Sequence, residues 1–437
     1  MARGGATGAT DTALAAQLGG HPAALATVGV LMFLFALVPG LPFFPFVAGS
    51  IVLGIASWFG KQAIDKKTAE DAAAVLKPDV APTRESLGDL LDLDDIHVEF
   101  SPDLVDMVLD PGVGLDVRIG NMRNHVATEF GVLLPEIRLT DNVTLPENHY
   151  RILVHGVEQV RNRLQPGRIL TLLGAPEVQA PDGLDVEEPV YGAPARWIYP
   201  EDQEAASLNG LTTVHPTEVL ATHLLEVIKK NFGRLMTLKA LRRLMDEMCS
   251  LTDASRSDAN KKMLDELVPD KVPVDFLLSI LRLLLEERVS IRNLSLIIEA
   301  ASEGRQLYPS VEGVTEHVRQ RLGFQLVAEM RRSDGTIPLV QLAPEWEDTF
   351  ATYQIVTDRG PGDVALPPDE FNRLASAISD KITTASEAGT YPALVTSMKR
   401  RRFLKTVLSA KGLPNPVLSF EEIGVDAQPA LVGLVSA

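Results

Sequence analysis

Hydrophobic and polar positions divide this chain into two unequal parts. Residues 23–59 carry no charged side chain: two apolar runs, 23–38 and 43–59, flank Pro39-Gly40-Leu41-Pro42. The prolines break helical hydrogen bonding and the glycine permits a sharp reversal, so the pattern predicts a helical hairpin. Each arm is about 25 Å long at about 1.5 Å per residue, enough to span a thin bilayer core once the turn and flanks join it. Two transmembrane helices are therefore expected in preference to a buried soluble hairpin. A secretory signal would show a charged start, one apolar run and a small-residue cleavage site, and this stretch does not. Trp58 and Phe59, followed by Lys61, Lys66 and Lys67, place the far end of the hairpin in the cytoplasm by the positive-inside rule.

Beyond the hairpin the pattern changes. Residues 60–93 are charged and alanine-rich, with Pro78 and Pro82, and run into an acidic, leucine-spaced stretch from Glu85 to Asp95 that reads as a linker. Its leucines, Leu87, Leu90, Leu91 and Leu93, are either incidental to a tether or dock on a neighbouring surface. Ile96, Val98 and Phe100 then alternate as a strand does, and Ser101-Pro102 opens a helix. Ile119, Met122, Val126 and Phe130 form one helix face that Gly131 ends. Residues 136–139, 150–154 and 169–173 are strand-like, separated by turn material. Pro216 starts a helix whose buried stripe is Leu220, Leu224, Val227 and Phe232, with Thr222, Glu226 and Lys229 facing elsewhere. Residues 237–309 read as helical, with a leucine-rich run at 276–285 and then Ile291, Leu294, Ile297, Ile298 and Ala301 on one face, capped by Ser290 and stopped by Gly304. The last region mixes helices at 312–322, 369–388 and 397–410 with strands at 336–342 and 416–420.

Composition narrows the function. A net charge of −17 argues against nucleic acid as a partner, because phosphate binding needs a concentrated basic surface. The single cysteine, Cys249, suits a reducing compartment. No phosphate-binding Gly-x-x-x-x-Gly-Lys-Ser/Thr loop and no dinucleotide Gly-x-Gly-x-x-Gly after a strand occurs, so no nucleotide cofactor is expected. The eight histidines are scattered and none pairs with another at helical spacing, so no metal site is expected. His223 lacks a visible acid or nucleophile companion and reads as structural. Glu286-Glu287-Arg288 with Arg292 reads as a solvated or locally paired face rather than an ion relay. The basic run 399–402 with Lys405 reads as a solvated helix face in preference to a dock for an acidic partner.

Several segments carry a resemblance. The stretch 134–160 contains Arg138-x-x-Asp141-Asn142 and Asn148-x-Tyr150-Arg151-Ile152. In order after it come Ala193-Pro-Ala-Arg-Trp-Ile198, Val219-Leu-Ala-Thr-His-Leu-Leu-Glu-Val-Ile228, Leu284-Leu-Glu-Glu-Arg-Val-Ser-Ile-Arg292, Val314-Thr-Glu-His-Val-Arg-Gln-Arg-Leu322 and Val417-Leu-Ser-Phe-Glu-Glu-Ile423. Together with the hairpin and its turn, they make residues 20–425 resemble the flagellar and virulence type III export-gate family. That family also has an N-terminal membrane half, which has no counterpart here, so the chain looks like a C-terminal part or a split version.

What the resemblance implies is an α+β multidomain chain: a transmembrane hairpin, a linker and a cytoplasmic region of four subdomains. Its divisions fall at a leader, 1–22; the hairpin, 23–59; the linker, 60–93; a first mixed α/β subdomain, 94–166 with 216–235; an inserted small β-rich subdomain, 167–215; an all-helical third, 236–315; a mixed α/β fourth, 316–425; and a tail, 426–437. The resemblance further implies a non-enzymatic component of the inner membrane, forming a homo-oligomeric, nonameric ring that receives export chaperones with their substrates and meets other export-apparatus proteins, the export ATPase complex among them. The flagellar branch is preferred to the injectisome branch. A membrane-tethered enzyme is the remote alternative, since its convergent titratable groups are not visible at local spacing. The family's chaperone-binding dimple falls here on Glu188, Tyr191 and Thr222, and the leucines Leu87, Leu90 and Leu91 supply the expected ring contact.

Overall fold

Apart from the single position Gly49, the computed structural model describes residues 92–436 except 175–179, 358–359 and 425–426. The leader, the expected hairpin and the linker leucines Leu87, Leu90 and Leu91 lie outside the described residues. Among the described residues no helix is long and apolar enough to cross a membrane.

Alternation at Ile96, Val98 and Phe100 produces β1 (Ile96–Phe100), whose apolar side chains are fully buried. The chain turns through a short helical segment, α1 (Val105–Val108), into α2 (Leu115–Phe130) and returns as β2 (Ile137–Asp141), parallel to β1. β3 (His149–Val154) and β4 (Val157–Arg163) complete the first sheet in the order β2-β1-β3-β4. His155 and Gly156, with φ of 48° and 74°, form the two-residue turn between β3 and β4, as the right-handed twist of a tight hairpin requires. Ile119, Met122 and Val126 of α2 are buried, and Gly131 ends the helix with φ 71°.

A second sheet, all antiparallel, comprises β5 (Ile169–Leu172), β6 (Gly183–Glu187), β7 (Pro194–Ile198) and β8 (Thr213–Val214), in the order β6-β7-β5-β8. Its two faces separate by the period of two: Ile169 and Ile198 pack on α3 (Gln203–Leu208) through Ala206, while Leu170 and Trp197 join the main core. The chain then enters α4 (Pro216–Lys230), which lies against α2. His215 and Glu218 form a reciprocal capping box at its start, satisfying backbone N–H groups that the first turn leaves free.

Helices follow: α5 (Phe232–Leu235), α6 (Leu238–Cys249), α7 (Ala254–Leu267), α8 (Val274–Glu286), α9 (Leu294–Leu307), α10 (Val311–Arg321) and α11 (Gly323–Ala328). Two expected boundaries are corrected. Asn293, not Ser290, caps α9, because Ser290 donates its hydroxyl to the Glu129 carbonyl at 2.6 Å and is held by α2. Gly304 does not stop that helix but lies within it, where a Cβ would sit 3.0 Å from His317 and 3.1 Å from Val314 of α10, a tight fit that those side chains would have to yield to.

The last sheet is wholly parallel: β9 (Thr336–Leu342), β12 (Ala393–Thr396), β13 (Val417–Ser419) and β14 (Gln428–Val435), in the order β13-β12-β9-β14. α12 (Glu345–Thr352), the hairpin β10 (Gln354–Thr357) and β11 (Gly360–Val364), and α13 (Pro368–Glu387) connect β9 to β12. α14 (Met398–Ala410) leads on to β13. Residues 428–435, expected as tail, are therefore a sheet strand paired along its length with β9, with Val435 buried. The sheet is covered on both sides, Leu339, Val395 and Leu418 joining the main core and Val340, Leu394 and Val417 a second one beneath α12, α13 and α14.

The basic run on α14 is solvated only in part: Lys399 and Arg402 are exposed, but Arg401 is not. Arg401 is fully buried and its guanidinium grips Glu287, just after α8, and Glu316 of α10. Arg319 bridges Glu287 at 3.3 Å and Glu422 at 2.7 Å, extending the ion pairs into the loop after β13. Burial alone would push the Glu287 carboxyl up, but the Arg401 hydrogen bonds and the charges of Arg319, Arg401 and Lys405 outweigh it and bring it to about 2.

Candidate functional site

The turn between β6 and β7 is built around a carboxylate. Glu188 is buried to within 9% and accepts hydrogen bonds from the backbone N–H groups of Val190, at 3.0 Å, and Tyr191, at 2.7 Å. The Glu188 carbonyl also accepts from Gly192, which takes φ 70°, and the Glu188 N–H donates to Ala193. A turn tied at both ends in this way presents its central side chain outward. Tyr191 is 71% exposed, so it holds no core position.

Tyr191 is oriented by α4. Its phenol lies within reach of the charge of Glu226, and Glu226 is held by Lys229 at 2.9 Å and by Arg288 at 3.5 Å. Burial pushes the Glu226 carboxyl up, but the hydrogen bond and charge of Lys229, with Arg288 and Tyr191, hold it below the usual carboxylate range. Burial and the charge of Glu226 raise the Tyr191 phenol above its usual value. Glu226 was expected off the buried stripe of its helix, and it is nevertheless 8% exposed because Tyr191 and Arg288 cover it. Thr222, one turn earlier on α4, is exposed. Residues four apart share a helix face, so Thr222 and Glu226 line the side of α4 that Tyr191 reaches.

Of the three residues singled out from sequence, Tyr191 and Thr222 are thus surface groups, whereas Glu188 serves the turn beneath them. Sequence reasoning did not assign Glu226 and Arg288 to this site; the spacing of Glu226 from Thr222 is the signal that places it there. Behind the site, the Tyr150 hydroxyl and His223 Nδ1 share a hydrogen bond at 2.6 Å, and burial drives the imidazole down to about 4. It is a neutral, structural histidine. Among the described residues no three His, Cys, Asp or Glu side chains are placed to hold a metal ion.

The profile of the FHIPEP family matches residues 1–428. The chain belongs to the FHIPEP family. The match ends at the first residue of β14. Flagellar biosynthesis protein FlhA of Caulobacter vibrioides is 32% identical over 445 aligned positions, which take in 100% of this chain and 61% of that protein. The chain thus spans about three-fifths of that relative's length. Among solved structures, the Chlamydia pneumoniae CdsV protein, known alone and in complex with CdsO, has a TM-score of 0.67 at 23% identity over 78% of this chain and 98% of its own. The nonameric EPEC SctV-C has a TM-score of 0.61 at 18% identity, covering 78% of this chain and 98% of its own. These likenesses show the same mixed α and β fold.

Proposed function

We propose that this FHIPEP chain is an export-gate component of the flagellar type III secretion apparatus, anchored in the inner membrane by the hairpin at 23–59. The observation that carries the reading is the identity with the Caulobacter flagellar protein along the whole chain. The cytoplasmic region works as four subdomains with the boundaries expected from sequence, except that β14 belongs to the fourth. Its role is to receive export chaperones and their substrates at Tyr191 and Thr222, with Glu188 and Glu226 setting the aromatic anchor in place. An exposed tyrosine on a turn tied at both ends suits this task, because it offers a large contact area at small entropic cost. The nonameric SctV-C structure supports a ring, and the CdsV complex with CdsO supports contacts with other export-apparatus proteins. The chain acts by docking and not by catalysis.

The test is motility. The chain is expressed in a flagellated strain lacking its own export-gate protein, with and without a separately supplied N-terminal membrane half. Restored swimming in either arm, lost when Tyr191 is replaced by alanine, supports the reading. Failure in both arms, with the chain present in the membrane, overturns it.

A further inference from the structure

On a chain of net charge −17, one recess is basic. It lies where the turn after α8 meets α10, α11, α14 and β13, encloses about 100 Å³, and is lined by Arg288, Arg319 and Lys405, with Glu287 and Glu329 also present. Most of these charges are already engaged in ion pairs. Arg319 is committed to Glu287 and Glu422, and Glu287 is committed to Arg401 as well. Arg288 makes one ion pair, at 3.5 Å, through a single guanidinium nitrogen to Glu226, and its side chain is about half exposed. Among the described residues no carboxylate lies within ion-pair distance of the Lys405 ammonium. Glu329 also lines the recess, but it makes no ion pair with Lys405, Arg288 or Arg319.

A half-buried ammonium without a counter-ion is costly, and proteins usually pair such groups. Burial, and the charges of Arg319, Arg401 and Arg288, hold Lys405 below its usual value in spite of Glu287. The recess has room for about three waters, or for one small anionic group. Lys405 and Arg288 are the two cations lining it with unused donors. Arg288 also reaches the site of Tyr191 through Glu226, so an anion seated here touches the same arginine that braces the tyrosine.

We infer that the recess between Arg288, Arg319 and Lys405 is an anion-binding site of carboxylate size. Two sources share that chemistry: a free small anion, and an acidic side chain of a docked partner.

The experiment reads the reactivity of Lys405 directly. The full chain in detergent is labelled with an amine-acylating reagent at constant ionic strength, and modification is quantified per lysine by mass spectrometry, with Lys399 as internal reference. Acetate, inorganic phosphate and a flagellar export chaperone are the three additions. The expected result is severalfold slower labelling of Lys405 relative to Lys399 with at least one of them, and weaker protection in Arg288→Gln. Protection by acetate or phosphate identifies a free anion. Protection by the chaperone alone identifies a partner carboxylate. Unchanged labelling of Lys405 in the wild-type chain under all three additions overturns the site, whether or not the Arg288 variant folds, and it leaves the motility test of the export-gate reading unaffected.

Discussion

Arg401 binds Glu287 through two guanidinium nitrogens, at 2.5 and 2.8 Å, across 114 residues of sequence. Removing the arginine leaves Glu316 buried without its counter-charge and Glu287 with Arg319 alone. Arg401→Met is expected to destabilise the protein by about 3–5 kcal/mol, with Arg401→Lys recovering only part because a single ammonium cannot reproduce the fork. Urea unfolding of the full chain measures both. Protonating Glu287 attacks the same contact from the other side. Its folded value of about 2 lies below the ordinary 4.5, so its stabilisation is fully present above pH 4.5 and is lost as pH falls towards 2.

His223 gives a second, separate pH window. Its folded value of about 4 lies below 6.5, so the unfolded chain binds the extra proton first and stability declines as pH drops from 6.5 to 4. The full effect is on the order of 3 kcal/mol. His223→Gln is expected to flatten that slope while keeping a polar partner for Tyr150, and thermal unfolding between pH 7 and pH 4 checks it.

Tyr191→Ala is expected to weaken binding of a cognate flagellar chaperone by about 1 kcal/mol or more, with the unfolding midpoint near wild type because the ring is exposed. Thr222→Met adds bulk on the same helix face and is expected to block docking sterically. Isothermal calorimetry with the purified chaperone distinguishes these outcomes from a general loss of fold.

Serine in place of Leu87, Leu90 and Leu91 is expected to weaken self-association without altering the unfolding transition. Each leucine, if seated against a neighbour, contributes about 1–2 kcal/mol before ordering costs. Sedimentation velocity in detergent reads the assembly state, and an unchanged distribution removes these leucines from the ring contact.

Deleting residues 428–437 strips β9 of one of its two parallel partners and takes Val435 out of the second core. A loss of at least about 2 kcal/mol is expected from the buried valine and the newly exposed strand edge. Hydrogen exchange localises the effect, with protection falling in β9 and not in β1.

Elements whose stabilising contacts are periodic were legible in the sequence. The stripe Ile119, Met122, Val126 defines α2, and the near-continuous apolar run of β9 marks a strand covered on both faces. Errors arose where a distant residue takes a local group. Ser290 has the chemistry of a cap, yet Glu129 claims its hydroxyl. Gly304 has the chemistry of a stop, yet α9 needs a small residue there to approach α10. Arg401 sits in a basic run that reads as solvated, because its partners Glu287 and Glu316 lie 114 and 85 residues away. At the candidate site, the exposure of Tyr191 was suggested by the prolines and glycine around it. Glu188 reads as a surface acid by its type, and only the fold shows its carboxylate turned onto the backbone of its own turn.

The ion pairs of Arg401 and Arg319 also set an order of events during synthesis. Glu287, Glu316 and Arg319 leave the ribosome well before Arg401 and Glu422, and at ordinary translation speeds the 114 residues between Glu287 and Arg401 take roughly 6–23 s to make. For that interval Glu287 has only Arg319 as a partner, and Glu316 has none of the guanidinium it later shares. Arg401 and Glu422, the last members of the network to be made, come from the C-terminal sheet region, so that region completes ion pairs begun in segments made before it.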